Sequence, residues 1–293
     1  MLKILLDNKL KTSKSMVNDI NSYIYHVYKL KFNKASQSIK LCSNKVDDER
    51  KSAKDTNDGC KLNQLFVVSV YLEMLKQYSI YWEQILEDKY SESWCTLQNV
   101  LDSLRVVKRF NENHTKFYLK FIEEQMTGFE KLYPYKLFLS SEIIIKDVEC
   151  SICGKDFNSL ECEHLVGELY DGRMAYGIAK GIENIPAVSL VDNPKDKRCV
   201  MLLENNAENF HRLYFLSKAI KKHKISPWDI GGVRESIRKR NINEFDIKGD
   251  EKCLCGSGKT FEECCKQVGF VEFPHMDILI NKREKIPPVP FYF

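Results

Sequence analysis

Four thiols crowd into the thirteen residues from Cys253 to Cys265: a Cys253-x-Cys255 pair, a Gly256-Ser257-Gly258 turn, and an adjacent Cys264-Cys265 pair. Four thiolates that converge on one ion, each about 2.3 Å from it, need this layout, two ligand pairs with a tight turn to fold one onto the other. A second set precedes it. Cys150-x-x-Cys153-Gly154 is followed by Cys162 and His164, four potential ligands within fifteen residues of a chain that has only six histidines. Glycine after such a pair lets backbone amides turn toward the sulfurs, and the later Cys and His complete a Cys₃His set. Both sets are closed, because four protein ligands leave no position for water or substrate. Two Zn²⁺ ions are therefore expected, supplying folding energy to subdomains too small for a core of their own rather than hydrolytic chemistry. The remaining thiols, Cys42, Cys60, Cys95 and Cys199, stand apart and read as core or surface residues, with Cys199 a spare ligand at most.

The stretch from Glu251 to Lys266 resembles the SEC-C motif, the small zinc module at the C-terminal end of the bacterial preprotein translocase motor and of many otherwise unrelated bacterial proteins. Cys253, Cys255, Cys264 and Cys265 fall on its ligand positions, and Gly256, Ser257, Gly258, Lys259 and Phe261 fall on its loop. Leu254 stands where the family usually has proline, and the chain runs on to Phe293 past a module that commonly closes its protein. The resemblance covers sixteen residues and implies zinc and an attachment surface for a protein or ribosome partner. The stretch from Tyr90 to Cys199 is similar to uncharacterised bacterial proteins with such a tail, some of which sit among phage-defence genes.

Two enzymatic alternatives rest on shorter likenesses. Cys150-x-x-Cys153-Gly154 with Glu163-His164 resembles the treble-clef HNH nucleases, which implies His164 as base with Asn193 and His211 as partners. The family's second cysteine pair is absent near Asn193, and His164 serves better as the fourth metal ligand. Val188-Ser189-Leu-Val-Asp-Asn-Pro194 is similar to the nucleophile strand of phage prohead proteases, which implies Ser189 activated by His164. Lys195 departs from the alanine usual after that proline. Non-catalytic binding is the favoured reading.

A cationic belt offers a nucleic-acid alternative for the partner. Lys221, Lys222 and Lys224 lead to Arg238, Lys239 and Arg240, with Trp228 between the halves, a combination that can neutralise phosphates and stack a base. The competing view is a solvated helix end whose lysines favour the C-terminal dipole. The net charge of +4 permits such contact without arguing for it.

Hydrophobic residues at 43% and aromatics at 11% are those of a globular chain, long enough for two domains. Met1-Leu-Lys-Ile-Leu-Leu-Asp7 is too short an apolar run for a signal peptide, and no stretch approaches the roughly 20 apolar residues of a membrane span. A cytoplasmic, reducing compartment follows, where clustered thiols bind metal rather than form disulfides.

The expected architecture is α+β: a helical N-terminal domain, a small zinc-stabilised β domain and a C-terminal zinc knuckle. Residues 1–60 hold an amphipathic helix from Ser15 to Phe32 and a polar linker from Asn33 to Asp58. Residues 61–140 hold three helices: Leu62 to Asp88, one capped by Ser93, and one stopped by Pro134. Residues 141–205 form the β domain, with strands at Ile143–Ile145, a hairpin turning on Asp171-Gly172, and strands at Ala187–Val191 and Arg198–Leu203. Residues 206–249 make a basic helical connector with a Gly231-Gly232 hinge, residues 250–267 the SEC-C-like module, and residues 268–293 a tail.

Overall fold

The computed structural model describes residues 13–111 and 117–280. The apolar run Met1–Asp7 and the last part of the tail, 281–293, lie outside the described residues.

Five helices come first: α1 (Ser13–Tyr28), α2 (Phe32–Asp55), α3 (Gly59–Leu86), α4 (Tyr90–Arg109) and α5 (Leu119–Glu130). Helix α3 is the central one. Its apolar residues cover more than one face, and Leu65, Val68, Leu72, Leu75, Trp82 and Ile85 are all buried against α2 and α4.

The polar linker expected from Asn33 to Asp58 is instead the 24-residue helix α2. Ala35, Ile39, Cys42, Val46, Glu49 and Ala53 are buried along it at alternating four- and three-residue steps, a narrow stripe that meets α1 and α3. Lys61 of α3 lies 3.4 Å from Glu49, so the one acid in the stripe is paired.

Helix α4 begins at Tyr90, three residues before the expected cap. Its cap comes from far away, because the Asn205 side chain accepts from the Tyr90 amide at 2.8 Å and from the Ser91 amide at 3.2 Å. Ser93 lies inside the helix and shares a 2.6 Å hydrogen bond with the Tyr133 hydroxyl.

The strands pair in twos. β1 (Phe138–Ile145) runs antiparallel to β6 (Ile182–Val191); between them, β2 (Val148–Cys150) pairs with β5 (Gly177–Ala179), and β3 (Leu169–Tyr170) with β4 (Arg173–Met174). The β region is thus a ribbon with smaller hairpins rather than one sheet. Its hairpin turn does fall on Asp171 and Gly172, both at positive φ (46° and 77°). Arg198–Leu203 is not a strand. The Cys199 carbonyl accepts one bond from the Leu139 amide, but Arg198 is drawn aside to Asp102 of α4, and no ladder forms.

Helix α6 (His211–His223) returns to pack on α3. The second half of the expected basic helical connector is a strand, β7 (Ile230–Asn241), paired along its length with β8 (Phe270–Ile280). A short helix, α7 (Cys265–Val268), precedes β8. Cross-strand ion pairs explain why so charged a segment is extended: Arg238 meets Asp277 at 2.6 Å and Lys239 meets Glu272 at 3.2 Å. The expected hinge at Gly231-Gly232 is a β-bulge packed beside α5, where Gly232 holds a φ of +142° that side-chain-bearing residues rarely adopt.

One core joins α1 to α6, the root of β1 at Phe138 and the root of β7 at Trp228 and Ile230. A separate small core gathers Cys253, Phe261, Cys265 and Val271, with Phe245 and Phe273 against them.

Candidate metal centres

The first centre sits between β1 and β6 in the chain. β2 delivers Cys150, and a tight turn follows in which the Gly154 amide donates to the Cys150 carbonyl at 2.8 Å, with Gly154 at φ +73°. This knuckle brings Cys150 and Cys153 together with Cys162 and His164, one ligand atom from each lying within 4.8 Å of the others. Cys153 Sγ is 3.8 Å from Cys162 Sγ, and Cys162 Sγ is 3.9 Å from His164 Nδ1. The β3–β4 hairpin sets the imidazole: Tyr170 meets its ring edge-on at 4.5 Å, and the Tyr170 hydroxyl is itself fixed by the Leu165 amide at 2.9 Å.

The second centre lies between β7 and β8. Gly256 and Gly258, at φ +78° and +79°, fold the Cys253-x-Cys255 arm over so that the Cys253 amide donates to the Lys259 carbonyl at 2.8 Å. Cys255 Sγ is then 3.5 Å from Cys253 Sγ and 3.6 Å from Cys264 Sγ, and Cys264 Sγ is 4.0 Å from Cys265 Sγ.

These separations test whether the residues fit an ion. A disulfide would need sulfurs about 2.05 Å apart. Four thiolates about 2.3 Å from a tetrahedral centre stand about 3.8 Å from one another. The observed 3.5–4.0 Å matches the tetrahedron, and all eleven cysteines, these seven included, are free thiols.

Electrostatics agree. At Cys150, burial opposes ionisation, but the amides of Cys153 and Ile152 directed at the sulfur outweigh it and hold the thiol below its usual range. The Ser257 hydroxyl and amide beside Cys255 bring that thiol down to about 6, while burial and the neighbouring sulfurs push Cys265 up. Each centre thus has a thiol ready to be a thiolate beside sulfurs that resist sharing its charge, a conflict that a divalent cation removes.

The centres are mounted alike, each carried at the far end of a two-stranded antiparallel ribbon whose root enters the helical core. They differ in how they rest. The first leans back on the helices: Asn63 of α3 donates to the Leu169 carbonyl at 3.3 Å and accepts from the Gly172 amide at 2.7 Å, and Arg109 of α4 pairs with Glu168 at 2.8 Å. The second is supported by its own small core.

The other sequence candidates scatter. Ser189 is exposed on β6 opposite Ser140, whereas His164 is gathered with thiols, so the geometry expected of a serine nucleophile and its base is not formed. Asn193 borders a cavity over α4 and His211 opens α6, so neither joins His164. Lys221 is paired with Asp88 at 3.4 Å, and Lys222 and Lys224 are exposed at the end of α6. Arg238, Lys239 and Arg240 are each ion-paired, the last with Glu244 at 2.8 Å. Trp228, placed between the cationic halves as a base-stacking platform, is buried and cannot stack a base. Sequence reasoning missed Tyr170, Ser257 and Asn63, which position ligands or dock a centre; only Ser257 lay within a recognised motif.

No described helix is long and apolar enough to cross a membrane. No protein family, curated protein or solved structure matches this chain in comparisons.

Proposed function

We propose that the protein is a zinc-binding adaptor that docks on a macromolecular partner through its two ribbon-borne metal centres. The observation that carries this reading is the mounting of two closed four-ligand groups at the ends of ribbons rooted in one helical core. Zinc suits the donors, since sulfur-rich tetrahedral sets favour it and closed sites build surfaces rather than perform hydrolysis. The likeness of residues 251–266 to SEC-C modules supports a protein or ribosome as the partner of the second centre. Nucleic acid is the weaker choice, because Arg238, Lys239 and Arg240 are already balanced by Asp277, Glu272 and Glu244.

Affinity capture with and without RNase tests the reading. The full chain is expected to retain a protein partner after RNase treatment, and Cys264→Ser with Cys265→Ser to lose it while circular dichroism still shows the helices. Capture that survives this double substitution would exclude the second centre as the contact. Loss of all capture on RNase treatment would favour an RNA partner.

A further inference from the structure

The ribbon of β1 and β6 is exposed along most of its length. More of the exposed large apolar side chains fall between Leu137 and Leu190 than in all the rest of the described chain. Monomeric proteins scatter such residues singly, so a cluster of them marks a contact surface.

Side chains alternate along a strand, and the register sorts them into two unlike faces. On one lie Leu139, Ile143 and Ile145 of β1, with Leu190 opposite Leu139, Val188 opposite Ser141 and Ile182 opposite Ile145. The other carries Ser140 opposite Ser189 and Glu142 opposite Ala187. This alternation is that of a ribbon with one buried face and one solvated face. Yet the six aliphatic side chains are each 38–64% exposed.

The extent of the apolar face is that of a dimer interface. Its six side chains expose about 600 Å², at the upper end for the largest apolar patch of an ordinary monomer. A standard interface takes about 800 Å² from each partner, and homodimers make about 65% of it apolar. These six residues alone supply that apolar share.

Its chemistry is self-complementary. Neither sign of charge is present on it, so nothing selects a partner by charge, and an uncharged aliphatic face matches its own copy. It also lacks the Trp, Tyr and basic side chains that hold an element at a lipid surface. Strand addition at the edges is opposed. Ile185 and Pro186 stand against Ile143 in a bulge, Pro186 has no amide to offer, and the Leu139 amide is already bonded to the Cys199 carbonyl at 2.7 Å.

We propose that the protein forms a twofold dimer in which the β1–β6 ribbons of two copies pack apolar face to apolar face. The contact gives each two-stranded ribbon the second layer it lacks and leaves the Ser140–Ser189 face in water. It involves no metal ligand and stands independently of the adaptor reading.

Sedimentation velocity of the metal-loaded full chain, from about 1 to 100 µM, tests it by reading the mass. A dimer is expected at the upper end. Val188→Glu with Leu190→Glu puts like charges into the contact from both copies and should raise the dissociation constant at least about a hundredfold, with circular dichroism and metal content unchanged. Val188→Ser with Leu190→Ser, which adds no charge, should raise it at least about tenfold. Ser140→Lys with Ser189→Glu, a matched pair on the opposite face, should leave the dimer as it is. A wild-type chain that stays monomeric at about 100 µM would overturn the proposal, and its flotation with phosphatidylcholine vesicles would give the face to lipid instead. So would wild-type dimerisation by the folded Val188→Glu, Leu190→Glu variant, or loss of the dimer on changing the Ser140–Ser189 face alone.

Discussion

Trp228 stacks on Tyr78, ring centroids 4.9 Å apart and planes 27° from parallel, and its indole nitrogen donates to the Ile24 carbonyl at 3.1 Å. Trp228, two residues before β7, thereby joins α3 and α1. Gln125 of α5 completes the anchor by donating to the Pro227 carbonyl at 2.8 Å and to that of Ile230. The ribbon that carries the second candidate metal centre is rooted in the core by contacts with three helices: the Tyr78 ring, the Gln125 side chain and the Ile24 carbonyl.

Trp228→Ala should therefore destabilise the helical core by about 3–5 kcal/mol, the usual cost of removing a buried aromatic. The thiols of the second centre have their own small core, so metal bound per folded chain should not change. Chemical denaturation and metal analysis of the same sample check both halves; loss of metal with little loss of stability would reverse the assignment.

Asn63→Ala removes both side-chain bonds that hold the β3–β4 hairpin to α3. The expected cost is about 1–2 kcal/mol, concentrated at the hairpin. Hydrogen exchange should accelerate at residues 169–174 while the amides of α3 and α4 keep their protection. Unchanged exchange at the hairpin would mean that the first centre does not depend on this contact to stay docked.

Asp88 gives a pH dependence whose sign is fixed. Burial acts against its charge, but hydrogen bonds from Tyr90 and Ser217 and the Lys221 ammonium outweigh that and hold the carboxyl below its usual value. A carboxyl depressed in the folded state stabilises above its unfolded pKa of about 3.9 and loses that contribution as pH falls through the lower folded value. Asp88→Asn should lower the melting temperature at neutral pH and flatten its decline on acidification. The effect should stay below about 1 kcal/mol, since water screens so exposed a group. Comparison of the two melting curves from pH 6 to pH 2.5 isolates it; parallel curves would remove Asp88 from the account.

Local patterns were the legible part of this chain. Both ligand sets could be read because metal coordination imposes short spacings, and the heavily apolar α3 because its buried faces are written in Leu, Val, Tyr and Trp. In α2 the same kind of signal is thin, one or two small apolar residues per turn among many charges, so Ala35, Ile39, Cys42 and Val46 passed for linker. Strand β7 was hidden by its charges and by a partner that lies beyond the whole metal module; Arg238 reads as helical or basic until Asp277 stands opposite it. The cap of α4 was beyond sequence reach for the same reason, since Asn205 is 115 residues from the Tyr90 amide it holds.

Metal content is the most direct test of the central claim. Native mass spectrometry of the purified chain, with elemental analysis to identify the ion, should find two zinc ions per chain. Cys150→Ser with Cys153→Ser should leave one, and Cys253→Ser with Cys255→Ser should leave the other. A chain that is folded, reduced and free of zinc would contradict the account.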